Sequence, residues 1–159
     1  MALNGKPEKR PRLAAVVTAY RKYLHPQHVV DRFLDGYGWN GRYHRPQMDV
    51  VSLYVDQRGE GDLFQERANR HPQMKICPTI EEALTLGTGK LAVDGVVVVA
   101  EHGVYPLSEN GIMMRRITSS LKRSRKCSGP VAAQYLISTT RNCHGTGTGR
   151  KRWLTFLMN

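Results

Sequence analysis

The sequence predicts an α/β fold, a doubly wound parallel sheet with helices on both faces, and three observations predict it. Four short runs are continuously apolar rather than alternating, as strands covered on both faces must be. Segments with helical spacing of apolar residues separate those runs. The links are short, so the order β-α-β-α-β-α-β implies right-handed crossovers that return each run to one parallel sheet.

The first strand is LAAVVTA at residues 13–19, behind a polar leader that contains proline. Over residues 25–37, Val29, Val30, Phe33, Leu34 and Tyr37 form one helical stripe, which ends at the Gly36-Tyr37-Gly38 turn. Residues 38–48 mix turn formers and aromatics without a period and read as a long loop. DVVSLYVD at 49–56 is a second buried strand, and it ends on an acid, Asp56. Asp62 is placed to cap a helix running to Arg70, with Leu63, Phe64 and Ala68 toward a core and His71-Pro72 as the stop. KICP at 75–78 is a short third strand. Thr79 and Glu82 have the T-x-x-E spacing of a capping box, in which hydroxyl and carboxylate satisfy free amides reciprocally, and Ala83, Leu84 and Leu86 supply the stripe behind it. The strongest strand signal, VDGVVVVA at 93–100, runs directly into Glu101-His102-Gly103-Val104-Tyr105-Pro106.

A chain of 159 residues holds one ordinary domain and has no room for several large ones. With 40% hydrophobic and 23% charged residues it is far from the composition of a wholly disordered chain. The formal charge of +11 would point to nucleic acid or an anionic membrane, but its distribution redirects the reading. All thirteen acids lie from Glu8 to Glu109 beside fourteen bases, and the remaining ten bases follow with no acid among them. The chain therefore divides into a flexible leader (1–10), a balanced globular domain (11–111) and a basic, low-acid tail (112–159) expected to be disordered. No apolar run approaches the roughly 18 to 20 residues of a membrane helix, so no membrane partner is expected and a cytoplasmic location is. Cys77, Cys127 and Cys143 are odd in number and form no C-x-x-C pair, which indicates buried or free thiols in place of disulfides or zinc.

In an open parallel sheet, ligands bind beyond the carboxyl ends of the strands, here residues 18–28, Asp56-Gln57 and 101–106. An acid ending the second strand can accept hydrogen bonds from ribose hydroxyls, and the same acid can equally be a turn former. The first turn, TAYRKYLHPQH, has no G-x-G-x-x-G, so Arg21 and Lys22 would have to supply charge that glycine-assisted backbone normally supplies. His25, His28, His44, His102 and Glu101 suit metal or acid/base chemistry, but their spacings repeat no ligand pattern, and no metal is expected. His102, beside an acid at a strand end, is the candidate for substrate contact or proton transfer, against a plain loop histidine. Trp39, Tyr43 and His44 would line a pocket or cover a core edge.

The segments VVTAYRKYLHPQHVVDRFLDGYGWNGRYHRP, MDVVSLYVDQ, KICPTIEEALTLG and VDGVVVVAEHGVYPLSENG together span most of residues 11–111. In content and order they resemble the N-terminal Rossmann-like domain of the glucose-fructose oxidoreductase and inositol dehydrogenase family, and most of all a bacterial branch of it. The resemblance implies NAD or NADP as cofactor, with Thr18, Tyr20, Asp56 and Glu101 as cofactor-binding residues and Asp56 on the ribose. It also implies that Glu101 and the catalytic candidate His102 lie near the nicotinamide. The family's large C-terminal domain, with its catalytic lysine and histidine, does not fit within this chain, so the expected object is an incomplete, truncated half-domain inactive by itself.

The family branch continues past E-H-G-x-Y-P with an amphipathic helix and a strand, which the tail from Ile117 does not repeat. Codons allowed by that tail, read from each third base, permit HFFVEAVTEVFRASGRSVPDFNDKKLSW, which resembles the missing continuation. The expected origin is a frameshift between Gly111 and Ile117. The alternative is a genuine basic extension that binds nucleic acid nonspecifically through LKRSRK at 121–126 and GRKRW at 149–153. GTGTG at 145–149 is no phosphate loop, since no strand precedes it and no lysine-hydroxyl pair follows.

Overall fold

The computed structural model describes residues 9–100 and 103–106, and the backbone of residues 134–138. Its elements are β1 (Arg12–Val17), α1 (His25–Asp35), β2 (Tyr37–Trp39), β3 (Arg42–His44), β4 (Asp49–Val55), α2 (Phe64–Arg70), β5 (Lys75–Cys77), α3 (Ile80–Thr85), β6 (Gly95–Val99) and β7 (Gln134–Ser138). The main sheet runs β5-β4-β1-β6-β7, and every neighbouring pair in it is parallel. All four expected strands are present, and β1 lies beside β6 from Leu13 opposite Gly95 to Val17 opposite Val99.

Continuous apolar runs are needed because both faces of this sheet are covered. On one face Leu13, Ala15, Val17, Leu53, Val55, Val97 and Val99 pack with Val30 and Leu34 of α1, and with Phe64 and Ala68 of α2. On the other, Ala14, Val16, Val96 and Val98 pack with Ile80 and Leu84 of α3. Ser52, the one polar residue buried within the strands among the residues whose side chains are described, donates its hydroxyl to the Ala83 carbonyl of α3 at 2.6 Å. A register shift sets Leu13 opposite Val50 but Ala14 opposite Ser52, so Val51 is an inserted residue, a β-bulge. The bulge lets Val50, Leu53 and Val55 reach the same core although alternation alone would send Val50 to the opposite face.

Residues 38–48 are not the expected aperiodic loop. They carry most of an antiparallel hairpin in which Tyr37 pairs with His44 and Trp39 with Arg42. Its turn is Asn40-Gly41, both at positive φ (49° and 71°), the backbone that matches the twist of tightly joined strands. Asn-Gly was the available signal for it. Tyr37 accordingly leaves the helical stripe: α1 stops at Asp35, and Gly36, at φ 78°, turns the chain away. A Cβ on Gly36 would stand 2.4 Å from the Tyr43 hydroxyl oxygen, and that hydroxyl closes the helix end by donating to the Asp35 carbonyl at 2.5 Å.

Two caps differ from expectation in instructive ways. Asp62 does not cap α2, because its carboxylate is committed to the Arg21 guanidinium at 3.1 Å and the Gly59 amide at 2.5 Å. Leu63 takes the cap position without a side-chain bond. Thr79 does cap α3, accepting from the Glu82 amide at 3.1 Å, while the Glu82 carboxylate pairs with Lys75 at 2.6 Å and leaves the box half made. Leu86 ends α3 in a left-handed conformation. The disorder expected of 112–159 does not extend to Gln134–Ser138, which pair with β6 as the sheet's edge. The other tail residues, with the two basic segments, Cys127 and Cys143, lie outside the described residues. Cys77 is a buried free thiol. Among the described residues no helix is long and apolar enough to cross a membrane.

Candidate functional site

From β1 the chain winds outward through β4 to β5, then crosses by way of α3 to β6 on the other side of β1. The winding direction thus reverses between β1 and β6, the position at which the loops of open parallel sheets generally part to form a ligand crevice. Thr18, Asp56, Gln57 and residues 103–106 meet at this rim. The Thr18 amide donates to the Val99 carbonyl at 3.2 Å, the Asp56 amide to Val17 at 3.0 Å, and the Gln57 amide to Thr18 at 2.7 Å. Those bonds carry the parallel ladder one step past the strand ends and hold the three loop starts rigidly together. The Thr18 hydroxyl oxygen is buried here and has no hydrogen-bond partner among the described residues.

Both oxygens of the Asp56 carboxylate accept a phenol. Tyr54 donates to Oδ1 at 2.7 Å and Tyr105 to Oδ2 at 2.6 Å. Tyr54 reaches the carboxylate because side chains two apart leave a strand on the same face. Tyr105 reaches it because residues 103–106 fold back over the end of β4. Gln57 fastens that segment: its Nε2 donates to the Val104 carbonyl at 2.6 Å, and its Oε1 accepts from the Val104 amide at 2.7 Å. Gly103 makes the fold-back sterically feasible, since at φ 140° an added Cβ would stand 2.6 Å from the Tyr105 ring. Burial, followed by the bond to Asp56 and its negative charge, pushes the Tyr54 phenol up to about 12. Tyr54 therefore stays a donor throughout the neutral range.

The first turn differs from a phosphate-binding one in conformation as well as composition. Tyr23 adopts φ 67° with its side chain 76% exposed, and its amide donates to the Gln27 carboxamide at 2.6 Å. Arg21 is held by Asp62, and the Lys22 ammonium sits 5.0 Å above the Tyr23 ring. Both cations offered by the sequence for a phosphate are thus engaged by neighbours within the chain, Arg21 by Asp62 and Lys22 by the Tyr23 ring.

Of the residues expected to bind a cofactor, Thr18 and Asp56 come together at the crevice. Tyr20 does not join them: it is fully buried in the core and gives its hydroxyl to Asp31 at 2.5 Å. Burial first, then that bond and the charge of Asp31, raise the Tyr20 phenol far above its ordinary range. Asp31 in turn receives the nearly buried Arg67, from Nε at 3.0 Å and Nη2 at 2.8 Å. Glu101 and His102 lie outside the described residues. Trp39, Tyr43 and His44 belong to the hairpin following α1, which runs back along the sheet and carries them to the rim opposite the crevice. His44 stacks on Tyr37 there, with ring centroids 5.5 Å apart. Among the described residues no three His, Cys, Asp or Glu side chains gather for a metal ion.

Sequence reading missed Tyr54, although the Y-x-D spacing at a strand end was visible and places hydroxyl and carboxylate on one face. No comparable signal marked Tyr105 as the second donor. Comparison with known proteins adds no relative: no family model, curated protein or solved structure matches the chain.

Proposed function

We propose that residues 11–111 are a Rossmann-like half-domain of the kind that begins NAD(P)-dependent sugar and polyol oxidoreductases, that Asp56 holds the ribose of a dinucleotide, and that the chain turns over no substrate by itself. The observation carrying this reading is the Asp56 carboxylate at the end of the second strand of the winding, with one hydroxyl donated to each oxygen. A ribose 2′,3′-diol presents two hydroxyl donors to such an acid in the same way. The strand order, with the reversal between β1 and β6, supports it further.

The residues fit a ribose and do not fit a pyrophosphate held by glycine-rich backbone, because Tyr23 and the Arg21–Asp62 pair occupy the first turn. Binding is accordingly weak and rests on the nucleoside end. A bound dinucleotide would supply hydride transfer. The Asp56 charge favours NAD over NADP, whose 2′-phosphate would face a carboxylate.

A fluorescence titration of the full chain with NADH tests the reading. Saturation in the millimolar range, weakened about tenfold or more in Asp56→Ala, is the expected result, since tenfold corresponds to about 1.4 kcal/mol, the order of one charge-assisted hydrogen bond. Equal binding by the native chain and Asp56→Ala refutes the ribose assignment. Turnover of a sugar or polyol with NAD(P), abolished by His102→Ala, refutes the inactivity. The same reading assigns 112–159 to a shifted frame; genomic DNA lacking an open frame downstream of Gly111 refutes that part, and so does a native tail that proves protease-resistant and packed on the sheet, the arrangement in which Gln134–Ser138 pair with β6.

A further inference from the structure

We infer that the β2–β3 hairpin is a stacking platform for single-stranded nucleic acid, with an unpaired base lying on Trp39 and the neighbouring phosphates drawn to Arg32, Arg42 and Arg45. The inference is independent of the crevice and of the ribose assignment.

Trp39 and Tyr43 cover no core edge, being 71% and 67% exposed. Register and strand alternation sort the side chains around them. Tyr37 pairs with His44 and Trp39 with Arg42, so these four share one face of the ribbon, and Tyr43 belongs to the other. Tyr43 fastens the ribbon to the end of α1 by donating its hydroxyl to the Asp35 carbonyl. The opposite face is stiffened from within. Tyr37 and His44 stack with their ring planes 23° apart, and the His44 Nε2 lies 3.3 Å from the Trp39 carbonyl. An aromatic ring already held in place gives a base a surface to cover with little ordering cost.

Charge selects the occupant. Residues 36–48 contain Arg42 and Arg45 and no acid, and the Arg32 guanidinium stands 5.8 Å from the centre of the Tyr37 ring. The acids that flank them in sequence are committed to other bases: Asp31 to Arg67, Asp35 to Arg70 and His71, and Asp49 to Arg10. The hairpin therefore keeps an excess of cations beside an open π face, which is the complement of a phosphodiester chain with unstacked bases. A duplex keeps its base faces inside its own stack and offers Trp39 nothing to cover. A second copy of this chain would set these arginines against their own kind across a symmetric contact. A protein partner of ordinary size needs roughly 800 Å² on each side with an apolar centre, whereas the exposed large hydrophobic residues of the hairpin are all aromatic.

The full chain carrying Trp153→Phe has Trp39 as its only tryptophan, so its fluorescence reports on the platform and not on the basic tail. Titration with oligouridylate or oligothymidylate of about ten nucleotides should quench Trp39 saturably and to a similar extent, since stacking and phosphate attraction do not use the 2′-hydroxyl. A blunt duplex of the same length should not quench it. In anisotropy titrations of the labelled single strand, Trp39→Ala should bind about tenfold more weakly, and Trp39→Phe, which keeps a ring, should retain most of the affinity. Arg42→Gln should lower the slope of log affinity against log salt by about 0.7, the loss of one phosphate contact. Both residues are exposed, and unchanged thermal melts of the variants will show that the fold is intact. Oligonucleotide binding that leaves Trp39 unquenched and is unaffected by Trp39→Ala overturns the inference and assigns binding to the tail. Absence of binding at about 50 mM salt overturns it as well. So does equal quenching by the duplex, or Trp39 quenching that follows protein concentration without any oligonucleotide, which would make the face a self-contact.

Discussion

Asp31→Ala is expected to be the most damaging polar substitution in the domain, for reasons the geometry allows to be weighed. Arg67 is 7% exposed and sends two hydrogen bonds to Asp31, at 3.0 and 2.8 Å, while the buried Tyr20 hydroxyl sends a third at 2.5 Å. The alanine variant strands a buried guanidinium and a buried hydroxyl together. Glu66, 2.8 Å from Arg67 Nη1, is itself largely exposed and compensates little. Breaking a buried pair from one side costs about 3–5 kcal/mol, and the orphaned hydroxyl adds about 1–3 kcal/mol, less than additively because the groups form one network. A total near 4 kcal/mol is a large share of the roughly 5–15 kcal/mol that holds a domain together, and at about 4–8 °C per kcal/mol it lowers Tm by about 15 °C or more. Tyr20→Phe, which leaves the ion pair whole, should cost only about 1–2 kcal/mol. Urea and thermal denaturation of the three proteins at pH 7, followed by circular dichroism, measure the difference. An Asp31→Ala variant that loses less than 1 kcal/mol, or less than Tyr20→Phe, refutes the argument.

Three further outcomes are expected. Stability should fall as pH rises from about 10 to 12: the Tyr54 phenol is pushed up to about 12 in the folded chain from an ordinary value near 10, so the unfolded chain releases its proton first. The contribution is full below pH 10, and Tyr54→Phe should flatten the alkaline slope in denaturant titrations without changing stability trends near neutrality. Gly36→Ala should cost more than Gly41→Ala, because both need positive φ but only at Gly36 does an added Cβ meet neighbours, Tyr43 Oη at 2.4 Å and the His44 carbonyl at 2.6 Å. About 1 kcal/mol at Gly41 and at least twice that at Gly36 is the order to expect from chemical denaturation. Thr79→Ala should remove about 1 kcal/mol through loss of the α3 cap, and Thr79→Ser should restore most of it.

The parts of this fold that the sequence announced are those decided within a few residues. β1, β4 and β6 were legible because LAAVVTA, DVVSLYVD and VDGVVVVA have no polar face, and only a strand covered on both sides tolerates that. The α3 cap was legible because a threonine hydroxyl reaches an amide three residues on whatever the rest of the chain does. The hairpin, read from the sequence as a loop, had left a local signal in Asn40-Gly41, since positive φ at two successive residues is a local preference. Asp56 at a strand end was likewise a local fact, and so was its position among candidate ligand-binding residues.

What needed the tertiary structure is everything settled by which distant groups arrive at the same place. Asp62 had the chemistry of a helix cap, and Arg21, 41 residues away, took its carboxylate instead. Tyr20 stood in a turn that reads as ligand-binding, yet Asp31 and Arg67 drew its hydroxyl into the core. Val51 is a bulge only because the register with β1 demands one. Tyr105 became the second donor on Asp56 because β6 lies on the far side of β1 and its loop must cross back over the sheet's end. Residue type sets what a carboxylate can accept over a range of a few ångströms, whereas the path of the chain through the sheet determines which donor comes within that range.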